Sequence, residues 1–381
     1  MDKKKIGEVF LEISEAIESG NFGNKPKIGI TTIGSEHGVE VMKEAVRLAD
    51  SPLFDIVVIG AKVDEVHETY ETEDEDEMYA KMEELLDASE IDACVTLHYN
   101  FPIGVSTVGR VISPATGKEL FLATTTGTSD TERSKSMVRN AVAGIITAKS
   151  CGIENPTVGI LNVDGARQVE KALKNFKENG FEIEFAESAR ADGGIVMRGN
   201  DLLLATPDVM VTDSLTGNIL MKMFGAYTSG GSYEVSGFGY GPGIGEGYER
   251  NIFIVSRASG APVIANALKY ASQTVMGGIN KIRPAVYKKA KDANMDDILS
   301  SLTPKKKAEA EVEEVVAPPE EVVDSNISGI DILEIDDAAQ ALWKAGIFAR
   351  GGMGCTGPVV QVAADKLEKA EGILREAGYI E

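Results

Sequence analysis

The feature that most narrows the fold of this 381-residue chain is an alternation, repeated along most of its length, between short apolar runs rich in β-branched residues and longer stretches of helical periodicity. Strands are expected at 27–32, 54–59, 93–97, 120–124, 157–163, 183–186, 209–212 and 251–256. Helices are expected between them at 38–49, 78–88, 134–149, 168–179, 217–224 and 262–276. Strands that return after an intervening helix run parallel, so the pattern specifies an α/β domain with a mostly parallel sheet. The Lys-rich start, followed by Glu8, Glu12, Glu15 and Glu18 at amphipathic spacing, reads as a helix and not as a signal peptide.

Charge and cysteine usage exclude several function classes. A net charge of −22 repels polyanions, so neither nucleic acid nor an anionic membrane is an expected partner, and any bound phosphate must be held by local geometry. The three cysteines, Cys94, Cys151 and Cys355, are odd in number and widely spaced. They indicate a reducing, cytoplasmic setting and neither a disulfide framework nor a zinc site. His37, His67 and His98 show no metal-ligand spacing, so no metal and no cofactor is expected. Nine of the fourteen residues 64–77 are acidic, which reads as a solvated loop or helix start kept open by like-charge repulsion. Residues 303–325 are charged, Pro-containing and poor in large apolar side chains, as expected of a linker. The expected organisation is therefore an α/β domain at 1–302, a linker at 303–325 and a small helical module at 326–381, which carries Trp343 and Cys355. That module is too short to be comfortably stable alone and is expected to dock on the main domain or on another subunit.

Four segments carry candidate chemistry. Cys355 stands among Gly351, Gly352, Gly354 and Gly357, just before Pro358. Val359, Val360, Val362, Ala363, Leu367, Ala370, Ile373 and Leu374 follow at spacings that predict a helix starting at Pro358. A cysteine at a helix N-terminus is favoured as thiolate, and the same backbone can cradle a phosphate or a thioester oxyanion. A tight glycine turn with Cys355 as a small buried filler accounts for the same residues. In Val211-Thr212-Asp213-Ser214-Leu215-Thr216-Gly217-Asn218-Ile219-Leu220-Met221-Lys222 a strand ends in small polar residues, Gly217 permits close backbone approach, and Asn218 and Lys222 share a helix face. An ordinary N-cap at Asp213 or Ser214 explains that spacing as well.

Ser256-Arg257 also closes a strand, where an arginine serves a phosphate or simply a surface. The glycine-rich run Gly237–Gly247 cannot be helix and reads as a flexible active-site or interface loop. Thr124–Ser129 offers hydroxyl donors to an anion or, more simply, a strand end and N-cap.

The 211–222 run, preceded by Pro156-Thr157-Val158-Gly159-Ile160-Leu161-Asn162, resembles the signature of acyl-carrier-protein phosphate acyltransferases. Its pairing with Ser256-Arg257 is also similar to phosphate acetyltransferases. Gly351-Gly352-Met353-Gly354-Cys355-Thr356-Gly357-Pro358 resembles the hallmark of the alpha-subunit family of protein C of the glycine/sarcosine/betaine reductase complex, a resemblance that covers essentially the whole chain. These resemblances imply an isopropylmalate-dehydrogenase-like fold in two lobes and transfer of an acetyl group from an enzyme thioester to inorganic phosphate, giving acetyl phosphate. They imply as partners a beta subunit of protein C and a selenoprotein. They imply Cys355 as nucleophile, with Gly352 and Gly354 as backbone donors. Phosphate would be oriented by Asn218, Lys222 and Arg257, assisted by Thr216, Gly217 and Ser256. A cysteine of the beta subunit as the acetyl carrier is an equally consistent variant. Synthesis of an acyl phosphate from a carrier-protein or coenzyme A thioester, and a non-catalytic scaffold, are the competing functions. A decarboxylating dehydrogenase of the same fold would need acidic metal ligands and a dinucleotide pocket that these motifs do not assemble.

Overall fold

The computed structural model describes residues 25–190, 193–303, 315–330, 334–354 and 357–380, with the single positions 11 and 14. The expected helix at the start of the chain, much of the expected linker, and Cys355 itself therefore lie outside the described residues.

Among the described residues twelve strands form one hydrogen-bonded sheet: β1 (Lys27–Thr31), β2 (Asp55–Gly60), β3 (Glu68–Glu71), β4 (Ala93–Thr96), β5 (Val105–Ile112), β6 (Glu119–Thr128), β7 (Thr157–Leu161), β8 (Glu184–Phe185), β9 (Val196–Met197), β10 (Val209–Val211), β11 (Gly241–Gly245) and β12 (Ile252–Ile254). Their order is β3-β2-β1-β4-β12-β11-β5-β6-β10-β7-β8, with β9 also on β7. Pairing is parallel except at β12–β11, β11–β5 and β5–β6. Those three reversals leave the β3–β12 block and the β6–β8 block pointing in opposite directions.

Helices cover both faces of the sheet because its strands are apolar on both sides. Along β2, Ile56 and Val58 enter one hydrophobic cluster while Val57 and Ile59 enter the other. Phe121 and Ala123 of β6 alternate with Leu120 and Leu122 in the same way. Helices Val39–Ala49, Arg133–Ser150 and Ala261–Met276 bury Met42, Met137 and Ile264 in the first cluster. Helices Glu75–Asp87 and Ser214–Ala226 bury Met82 and Met221 in the second.

One expectation is extended here and another is overturned. Residues 64–77 hold an edge strand, β3, as well as a helix start. Their acids have a structural use: Asp74 caps helix Glu75–Asp87 by accepting from the N–H groups of Asp76 and Glu77, and Glu75, Asp76 and Glu77 fill its first turn, where the dipole favours anions. The glycine-rich run is not a flexible loop, since Gly241–Gly245 is a fully buried strand. A Cβ on Gly241 would fall 1.7 Å from the Val108 carbonyl oxygen, and one on Gly243 would fall 2.3 Å from the Phe101 ring. Glycine is there because neighbouring backbone and aromatic rings occupy the side-chain space.

Nearer the end of the chain, β13 (Ser325–Ser328), β14 (Arg350–Gly354) and β15 (Gly357–Val362) form an antiparallel sheet in the order β13-β15-β14. Helices Ile335–Lys344 and Leu367–Glu376 accompany it. Ile327, Ala338, Leu342, Val360, Val362, Ala370 and Leu374 form a separate hydrophobic cluster, and the Trp343 indole N–H donates to the Ala349 carbonyl at 2.7 Å. The unit is thus mixed α and β, not helical. The helix expected to start at Pro358 starts at Leu367, and Pro358 is the second residue of a strand. The β-branched Val359, Val360 and Val362 suit that strand, with Val360 pairing Ile327 on one side and Gly351 on the other. Pro358 pairs only with Met353 of β14 and lies beyond the end of the β13 ladder, so its missing donor is tolerated.

Candidate functional site

The candidate site is built where β10 turns into helix Ser214–Ala226 beside the end of β6. Asp213 is the N-cap: its carboxylate accepts from the Thr216 N–H at 3.0 Å and from the Thr216 hydroxyl at 2.7 Å. Arg133 donates to the same carboxylate at 3.0 Å and bridges to Asp164 at 3.2 Å. Burial pushes the Asp213 carboxyl up, but these hydrogen bonds and the guanidinium outweigh it and hold the group below its ordinary value. The Thr216 hydroxyl is thus engaged within the cap.

Gly217 lets this helix lie against β6, because a Cβ there would come within 1.7 Å of the Thr124 carbonyl oxygen. The close approach permitted by Gly217 is therefore to a neighbouring strand. One residue on, the Asn218 amide donates to the Thr125 carbonyl at 3.2 Å, while the Thr125 hydroxyl donates to the Tyr240 carbonyl at 2.9 Å.

A helical turn further, the Lys222 ammonium lies 6.0 Å from the centre of the Tyr240 ring, and among the described residues no carboxylate pairs with it. Tyr240 is buried, and its hydroxyl donates to Glu234 at 2.9 Å. Burial first, then the charge and hydrogen bond of Glu234, raise the Tyr240 phenol well above its ordinary value. Lys222 and the Ser256 turn, widely separated in sequence, are linked through Tyr240, Glu234 and Ser259. Arg257 turns aside, donating to Glu75 at 3.0 Å in a pair that is nearly half exposed on both sides. A pocket of about 510 Å³ opens beside Lys222, walled by Met223, Tyr227, Tyr233, Glu234 and Ala258.

The cysteines divide sharply. Cys94 is fully buried and its thiol is pushed far up by burial. Cys151 is raised to about 12, again by burial. The β14–β15 register sets Gly352 opposite Val359 and Gly354 opposite Gly357. A strand at Gly357–Val362 stands where a helix beginning at Pro358 was expected, and Cys355 itself lies outside the described residues.

Glu234 escaped the sequence reading, while Thr125, Tyr240 and Glu75 lay unsingled within runs read as a hydroxyl-bearing strand end, a glycine-rich loop and an acidic stretch. Tyr240 was hidden by the glycines on either side of it, and Glu75 by a run of other acids. Nothing in the spacing of Glu234 marks it.

The description that matches residues 26–361 is that of the Fatty acid synthesis protein family. The chain is 59% identical over 380 residues, 99% of each chain, to the glycine/sarcosine/betaine reductase complex component C subunit alpha of Peptoclostridium acidaminophilum. It is also 38% identical over 76 residues, 19% of each chain, to a phosphate acyltransferase of Phenylobacterium zucineum. A 32% identity over 127 residues links it to that of Acetivibrio thermocellus, covering 33% of this chain and 34% of that protein. The crystal structure of 4-hydroxythreonine-4-phosphate dehydrogenase from Klebsiella pneumoniae overlays 66% of this chain and 99% of its own at a TM-score of 0.41 and 14% identity. On its full-length similarity, the chain belongs to the family of the glycine/sarcosine/betaine reductase complex component C alpha subunit, within the wider fatty acid synthesis protein family.

Proposed function

We propose that the chain transfers an acetyl group from an enzyme-bound thioester to inorganic phosphate and releases acetyl phosphate, as the final step of glycine, sarcosine or betaine reduction. A phosphate oxygen attacks the thioester carbonyl, the C–S bond breaks, and the sulfur leaves as thiolate. Because thiolate is a good leaving group, holding phosphate and thioester in register matters more than strong acid catalysis. Asn218 and Lys222 orient the phosphate together with Arg257, which must first exchange Glu75 for it. Ser256, Thr216 and Gly217 shape the cradle.

Cys355 carries or receives the acetyl group, and Gly352 and Gly354 offer backbone N–H groups to the oxyanion. Residues 303–325 serve as the tether and 326–381 as the carrier unit, within an isopropylmalate-dehydrogenase-like arrangement of the larger domain. The partners are a beta subunit of protein C and a selenoprotein, in the cytoplasm. Among the described residues no helix is long and apolar enough to cross a membrane.

The observation that supports this reading most is the chain of contacts from Lys222, lacking a carboxylate partner among the described residues, through Tyr240, Glu234 and Ser259 to the Ser256 N–H. The separate core of the 325–376 unit supports a carrier role. Arsenate-dependent breakdown of acetyl phosphate tests the scheme: Cys355→Ser should abolish it, and Lys222→Ala or Arg257→Ala should each raise the phosphate KM about tenfold or more. Full activity of Cys355→Ser would remove the nucleophile. Partial similarity to phosphate acyltransferases favours a second reading, with a carrier-protein or coenzyme A thioester as donor. Cys355→Ser that still uses acetyl coenzyme A would select it.

A further inference from the structure

Glu234 is a buried carboxylate, 4% exposed, with no cationic partner among the described residues. Isolated burial of a carboxylate is costly, so its surroundings have to supply donors. They do: one oxygen accepts from the Tyr240 hydroxyl at 2.9 Å and the other from the Ser259 hydroxyl at 2.8 Å. Ser259 passes the restraint on, since its oxygen accepts from the Ser256 N–H at 3.0 Å. The Glu234 backbone is tied to the same turn, donating to the Ala258 carbonyl at 3.0 Å and accepting from the Gly260 N–H at 2.8 Å.

On its other side the segment is fastened to the helix that carries Lys222. The Val235 N–H donates to the Gly225 carbonyl at 2.8 Å, and a Cβ on Gly225 would come within 3.1 Å of the Glu234 side chain. Glu234 and Val235 thus join the helix bearing Asn218 and Lys222 to the turn bearing Ser256 and Arg257.

We propose that Glu234 is a positioning residue for phosphate attack: its carboxylate, bridging the Tyr240 and Ser259 hydroxyls, fixes the interval between Lys222 and the Ser256–Arg257 turn. The inference rests on the phosphate assignment made above and adds to it the residue that holds the two halves of the cradle together. Tyr240 is both the surface over which the Lys222 ammonium lies and a donor to Glu234, so loss of the carboxylate loosens Lys222 and the turn together. An amide in its place keeps shape and volume, yet only one of its two heads can accept from a hydroxyl.

The test is steady-state kinetics of the full chain in its complex, with inorganic phosphate as the varied substrate. Glu234→Gln should raise the phosphate KM about tenfold while the KM for the thioester donor moves less than twofold, a split that a merely structural defect would not produce. Lys222→Ala should then cost several-fold less in the Glu234→Gln background than in the wild type, because the two changes act on one unit. Amide exchange at Ala258–Gly260 should speed up in Glu234→Gln and not in Glu75→Gln. A phosphate KM unchanged by Glu234→Gln, beside a Lys222→Ala that raises it, overturns the clamp alone. A silent Lys222→Ala overturns the phosphate assignment and this inference with it.

Discussion

Alkylation offers a sharp test of how the three thiols differ. Only the thiolate reacts with iodoacetamide, so the rate follows the ionised fraction. Cys151, raised to about 12 by burial, is ionised to only about one part in 10⁵ at pH 7. Burial pushes Cys94 further still. An unperturbed thiol near 8.5 is about 3% ionised at the same pH, a margin of roughly three thousandfold over Cys151. Cys355 is the remaining thiol, and as the proposed acetyl carrier it must react at least as fast as an unperturbed one. The native protein should therefore take up one equivalent of label at Cys355, with Cys94 and Cys151 untouched until the chain is unfolded, when all three react alike. Peptide mass spectrometry over a time course gives the three rates separately. Labelling of Cys151 within tenfold of Cys355 in the native state would refute the burial argument. A Cys355 slower than free glutathione would refute its role as an acetyl carrier.

Glu75→Gln should lower the phosphate KM by up to about fivefold, because the exposed Arg257–Glu75 pair is worth only about 0–1 kcal/mol and competes with phosphate for the guanidinium; an unchanged KM would place Arg257 outside the cradle. Gly217→Ala should destabilise the fold by about 1–3 kcal/mol, read as a lower urea midpoint, since the new methyl meets the Thr124 carbonyl oxygen and the helix must shift. Asp213 makes its stabilising contribution in full above the unfolded carboxylate value of about 4 and loses it as pH falls through its lower native value. The urea-midpoint gap between wild type and Asp213→Asn should accordingly be widest near neutrality and close toward pH 3. A gap independent of pH would mean that the cap works without its charge.

What the sequence disclosed follows from how each element is stabilised. Strands such as Asp55–Gly60 and Val209–Val211 are buried on both faces and so read as continuous apolar runs, which composition alone reveals. Helix Ser214–Ala226 was legible because Asp213 caps it, a local device. The misses came from tertiary effects. Gly241–Gly245 is a strand only because Val108 and Phe101 press against it, and nothing within the segment records their presence. At Pro358 a valine-rich stretch satisfied both helical and extended patterns, and its pairing with β13 and β14 decided the matter. The site was legible in part. Asn218 and Lys222 follow from helical spacing, whereas the Tyr240–Glu234–Ser259 connection is made between loops and has no period.

The bare strand Gly241–Gly245 has a practical consequence for anyone engineering this chain. By composition it is the obvious place for an epitope tag or a fusion joint. An insertion there would cut the seam where the two oppositely directed blocks of strands are joined through β12, β11 and β5. Gly117, on the connection between β5 and β6, is the better choice: nothing lies within 4 Å of where its side chain would begin, so added residues can leave directly into solvent.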